Sequence, residues 1–130
     1  MQIRPVIMVV EDDEEMNELE RDLLSVYGLD SVPAYTGTQA LEVYGRCGAD
    51  AVLLDVMLPE LDGFETCKRL RHQAGEPLPI VLLTALDSED SRRRGFEVGA
   101  DAYFCKPFDP DELARKLHDL LAQRRRCGTA

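Results

Sequence analysis

Glu11-Asp12-Asp13 closes an apolar run, Val6 to Val10, and Asp55 closes a second, Ala51 to Leu54. A third run, Ile80-Val81-Leu82-Leu83, stops at Thr84-Ala85, and a fourth, Ala102 to Cys105, stops at Lys106-Pro107. Side chains of these types, gathered in one place, suit a narrow range of chemistry. Crowded carboxylates repel unless a cation lies among them. Hard oxygen ligands with few protein donors suit Mg²⁺, which keeps several waters and takes one or two carboxylates plus a phosphate oxygen. Lys106 would add a compact positive charge for an anion, and Thr84 a hydroxyl. The set therefore reads as a metal beside a phosphoryl group, with one carboxylate as the nucleophile that an aspartyl phosphate requires.

Such a site exists only if the four segment ends meet. The four runs are short, continuous and β-rich, as expected for strands buried on both faces. Between them the apolar spacing becomes helical. Met16, Leu19, Leu23 and Val26 mark a first helix that Gly28 closes, and Thr38 to Arg46 a second with Leu41 and Tyr44 inward. Phe64, Cys67 and Leu70 mark a third, opened by Asp62-Gly63, and Ser88 to Val98 a weaker fourth carrying Arg92-Arg93-Arg94. A fifth opens at Asp109-Pro110, with Leu113, Leu117, Leu120 and Leu121 as its stripe. Asp30 to Ala34 adds a strand that Pro33 assigns to an edge. Five strands alternating with five helices predict right-handed βαβ crossovers and a doubly wound, flavodoxin-like (βα)5 fold, α/β class, with a parallel sheet in order 2-1-3-4-5. In such a sheet ligands bind beyond the carboxyl ends of the strands, where the four groups stand.

Composition limits the alternatives. The chain has 130 residues, 25 of them acidic against 15 Lys plus Arg, for a net charge of -10. That length suits one domain, and the acid excess argues against direct nucleic-acid contact. Glu11 to Asp22 alone holds eight acids against Arg21, whereas Arg115 to Arg126 holds five basic residues against Asp119. Cys47, Cys67, Cys105 and Cys127 stand 20, 38 and 22 residues apart, without metal-ligand or redox spacing. No apolar stretch approaches a membrane span or a signal-peptide core, so a cytoplasmic protein with no membrane partner is expected.

Taken together, Val9-Val10-Glu11-Asp12-Asp13, Asp55-Val56-Met57-Leu58-Pro59 with Gly63, Thr84-Ala85 and Lys106-Pro107-Phe108 resemble the receiver domain of bacterial two-component response regulators. The resemblance runs to about Arg124, which assigns 1–124 to the receiver and 125–130 to a tail or linker stub. It implies that Asp55 accepts phosphate from a histidine kinase, a phosphotransfer protein or a small phosphodonor. Asp12 and Asp55 would hold Mg²⁺ (or Mn²⁺) through their side chains, Met57 through its carbonyl, and Glu11 through a metal-bound water. Ala85 would leave room for the phosphoryl group, Lys106 would pair with it, and Thr84 would move toward it as Tyr103 turns inward. The fourth helix, fifth strand and fifth helix would form the output face and a homodimer contact, carrying Arg92 to Arg94, Asp101, Arg115 and Lys116. Such a chain catalyses its own phosphorylation and dephosphorylation, yet works mainly as a switch.

Other readings fit less well. A flavin carrier of this fold needs a phosphate-cradling loop after the first strand, where Glu11-Asp12-Asp13 would repel phosphate. An aspartyl phosphatase wants a second acid two residues after its nucleophile, and Met57 stands there. A Ca²⁺ loop needs alternating oxygen ligands, which Met57 and Pro59 interrupt. A pseudo-receiver, acting as a phosphorylation-independent interaction module, remains the alternative. Asp13, Glu14 and Glu15 read as a solvated helix start and His72 and His118 as exposed bystanders, while Tyr103 fits a core tyrosine as well as a switch. Met57 and Leu86 flank the path of an attacking water and cannot orient it, which predicts slow loss of phosphate.

Overall fold

The computed structural model describes residues 4–75 and 77–128, and the side chains among them up to 124. Its elements alternate as β1 (Val6–Val10), α1 (Glu14–Val26), β2 (Asp30–Ala34), α2 (Gly37–Cys47), β3 (Ala51–Leu54), α3 (Gly63–Ala74), β4 (Ile80–Thr84), α4 (Glu89–Glu97), β5 (Ala102–Cys105) and α5 (Pro110–Gly128). The sheet is parallel throughout, in the order β2-β1-β3-β4-β5. Pro33 lies in β2, at the edge, where a missing N–H leaves no central ladder broken.

Alternation along each strand divides the core in two. Met8, Val10, Val52, Leu54, Ile80 and Leu82 face one layer with Phe64, Cys67 and Leu70 of α3. Ile7, Val9, Leu53, Val81 and Leu83 face the other with Leu24 of α1 and Leu113, Leu117, Leu120 and Leu121 of α5. Successive strand side chains point to opposite faces, so each apolar run supplies both layers. Side-chain caps fix four helix starts: Asp13, Thr36, Asp62 and Ser88 each accept the N–H three residues on. Each such cap stabilises by about 1 kcal/mol. α5 continues through Gly128, past the expected boundary at 124. The rest of the expected stub, 129–130, and the side chains from 125 lie outside the described residues.

α1 departs from the expected stripe. Val26 is 80% exposed, Leu19 63% and Met16 36%, while Asn17, Glu20 and Leu24 are buried. The physical reason lies in what the helix covers. Its inner face meets the carboxyl end of β1, where backbone carbonyls and the Lys106 ammonium need polar partners. Asn17 Nδ2 lies 3.1 Å from Val9 O, 3.1 Å from Glu11 O and 3.2 Å from Ala34 O, and Asn17 Oδ1 accepts from Arg21 Nε. A buried amide so placed satisfies strand-end carbonyls that would otherwise be costly to bury.

Candidate functional site

Strand register brings the chemistry together. Val10 pairs with Leu54, so Glu11 and Asp55 leave adjacent strands side by side, and Asp55 N donates to Val10 O at 3.0 Å. Thr84 pairs with Cys105, and Lys106 N donates to Thr84 O at 2.8 Å. The Lys106–Pro107 peptide is cis. Beyond Asp55 the chain turns back, with Leu58 N and Gly63 N both donating to Val56 O. Gly63 is needed there, because a Cβ would lie 2.3 Å from Asp55 O and 2.5 Å from Val56 Cα.

Lys106 is the hub. Its Nζ donates to Glu11 Oε1 at 3.2 Å and Asp55 Oδ2 at 3.3 Å, and lies 3.7 Å from Glu20 Oε2. Asp55 Oδ1 accepts from Met57 N at 3.0 Å. Asp12 and Met57 sit at the mouth, in an open cleft of about 520 Å³ that Leu86 and Arg94 also line. Thr84 is fully buried, its Oγ1 accepting from Leu86 N, and Ala85 is exposed. Among the described residues no hydrogen bond joins Asp12 or Thr84 to Asp55. The structure thus brings Glu11, Asp55 and Lys106 into direct contact, with Asp12, Met57, Thr84 and Ala85 around them.

The cluster is short of positive charge. Burial first, then the hydrogen bond and charge of Asp55, push the Glu11 carboxyl up to about 8, against the pull of Lys106. Burial likewise raises Glu20 to about 7, with Lys106 opposing. For Lys106 burial acts to lower the pKa, but the charges of Asp55, Glu20 and Glu11 outweigh it and hold the ammonium above its ordinary value. Glu11 Oε2 is buried without a hydrogen-bond partner. A buried, unpartnered carboxylate oxygen beside a second carboxylate fits a cation that brings its own waters. No three His, Cys, Asp or Glu side chains among the described residues form a metal cluster by themselves.

Residues 7–118 match the family model described as the response regulator receiver domain. The chain belongs to this family. The receiver is 44% identical to the response regulator MprA of Mycobacterium ulcerans over 115 residues, 88% of this chain and 49% of that protein. MprA of Mycobacterium leprae shows the same identity, with 50% of its length covered. The chain thus spans about half the length of these curated relatives. Among solved structures, the Francisella response regulator 1452 receiver domain is similar at a TM-score of 0.85 and 32% identity, covering 92% of this chain and 98% of that one. The BeF3-activated N-terminal receiver domain of Klebsiella pneumoniae RstA follows at 0.83 and 40%, covering 89% and 97%. Receivers of this family act in two-component signalling, typically carry phosphate on an aspartate, and generally use Mg²⁺ to take it.

In this receiver Tyr103 points inward: 7% exposed, its hydroxyl donates to Leu86 O at 2.8 Å. The Arg92 guanidinium lies 5.1 Å from its ring centroid, and Arg92 also reaches Cys105 Sγ and Asp87. Gly95 lets α4 approach this closely, since a Cβ there would lie 2.8 Å from Leu82 Cδ1 and 3.0 Å from Tyr103 Cδ2. Asp101, expected on the output face, is exposed there and also pairs with Arg71 and accepts from Ile80 N. Sequence reasoning missed Asn17 and Glu20. The signal that could have found them is their position, since both share a helical face with Leu24 at spacings of three, four and seven.

Proposed function

We propose that Asp55 is the phosphoacceptor of this receiver and that a histidine kinase or phosphotransfer protein is its donor. The contact that best supports this reading is Lys106 Nζ to Asp55 Oδ2, at the end of β3 and beside an open cleft. One oxygen of Asp55 bonds to phosphorus as the bond to the donor's imidazole nitrogen breaks, and the electron pair leaves with that nitrogen. Phosphoryl transfer is mostly positioning and charge neutralisation, so no general base is required. Lys106 pairs with the incoming negative charge, and Ala85 leaves space beside its neighbouring N–H. Asp12 and Asp55, the Met57 carbonyl, and Glu11 through a water would hold Mg²⁺ or Mn²⁺, which when bound would offset charge on the phosphoryl oxygens.

The switch joins Thr84 to Tyr103, and the output surface is α4-β5-α5, where a second receiver docks as a homodimer. We place the protein in the cytoplasm. The net charge of -10 argues against direct nucleic-acid contact by this domain. Among the described residues, no helix is long and apolar enough to cross a membrane. Incubation with acetyl phosphate and Mg²⁺ tests the central claim. Wild type should gain the mass of one phosphoryl group and Asp55→Asn none; equal labelling of both, or of neither, sinks it.

A further inference from the structure

Glu20 is a buried carboxylate in the middle of α1, 5% exposed, and its Oε2 has no hydrogen-bond partner. That atom points at Lys106 Nζ across 3.7 Å, just beyond hydrogen-bond reach. The ammonium has three N–H donors. Glu11 and Asp55 take two, at 3.2 and 3.3 Å, and Glu20 faces the third. Lys106 therefore sits among three carboxylates, two just past the ends of β1 and β3 and one on α1. A phosphoryl group arriving on Asp55 needs that ammonium and adds negative charge to the same cluster.

We propose that Glu20 is a positioning residue that draws Lys106 toward α1 and away from the phosphoryl group, so that the receiver disfavours its own phosphorylated state. This inference rests on Asp55 being the phosphoacceptor. The geometry makes Glu20 a competitor for a donor the phosphoryl group must recruit. Competition of this kind lowers the affinity of the site for the phosphoryl group without blocking the cleft, because Glu20 lies beneath Lys106 and does not line the opening. Releasing the ammonium to make one more charge-assisted contact in a partly buried site changes ion affinity by about tenfold or more.

Beryllium fluoride, a phosphoryl mimic, tests this at saturating Mg²⁺ and pH 8, by titration of the whole chain. Glu20→Gln should bind it about tenfold more tightly than wild type. Glu20→Leu, which fills the buried site with an apolar side chain, should show the same gain and guards against a folding defect in the first variant. In a Lys106→Met background, the gain from Glu20→Gln should vanish, which a purely structural role or through-space repulsion would not predict. Equal or weaker binding by both Glu20 variants, or a gain that survives loss of Lys106, overturns the inference. Failure of wild type to bind at all overturns instead the assignment of Asp55 on which it rests.

Discussion

Three side chains separate the roles that one acidic sheet end has to perform. Asp55 offers an oxygen held by the Met57 amide, Glu11 offers a buried oxygen without a partner, and Lys106 bridges both. Met57 contributes in a second way, because its side chain is 56% exposed two residues beyond Asp55, where an attacking water would pass. An apolar group there cannot orient a nucleophile. Met57→Asn should therefore speed loss of the phosphoryl group by about tenfold, less than a full general base supplies, because an amide orients the water without taking its proton. The phosphate remaining after donor removal measures it, and an unchanged half-life would count against the idea. Asp55 and Lys106 were legible in the sequence because each abruptly ends an apolar strand. Glu20 was not, since an acid among eight in one stretch reads as helix surface, and only the packing of α1 on β1 and Lys106 turns it inward. The rotamer of Tyr103 was equally illegible: its inward ring depends on the space left by Gly95 and on the Leu86 carbonyl.

At the scale of elements, the βα alternation was readable because the strands are continuous apolar runs and the helices carry their own caps. α1 was misread because two stripes compete on it. The more hydrophobic one, Met16, Leu19 and Val26, faces outward, while the polar positions Asn17 and Glu20 serve buried partners. Leu19→Ser should then leave the unfolding free energy within about 0.5 kcal/mol of wild type, as for a surface change. A loss of several kcal/mol in denaturant titration would restore the misread stripe. The turn after β3 makes the opposite prediction. Gly63→Ala forces a Cβ against Asp55 O, with backbone on both sides and no flexible side chain to yield. Overpacking of that kind costs about 1–3 kcal/mol, and here it should also displace Asp55. Reduced stability together with slower labelling by acetyl phosphate is the expected pair of results.

The whole molecule carries its acidity unevenly, and this has a thermodynamic sign. Folding raises Glu20 to about 7 and Glu11 to about 8, both from an ordinary 4.5. The folded state therefore binds more protons than the unfolded chain between those limits, so stability must fall as pH rises through them. Metal-free protein should melt at a higher temperature at pH 5.5 than at pH 8, and saturating Mg²⁺ should narrow the difference, because a ligand that binds only the folded state stabilises it. A flat profile without metal would contradict the burial of these two acids. One contact also has a mechanical side. Lys106 leaves the far edge strand, β5, yet its ammonium grips Glu11 at the end of β1, 95 residues away and across β3 and β4. Parallel strands lie about 4.8 Å apart, so this one side-chain link ties the rim of the sheet to its middle. Cutting that tether should let the β5 amides exchange with deuterium sooner than those of β3, so the chemical hub is also the clasp that keeps the sheet's rim from fraying.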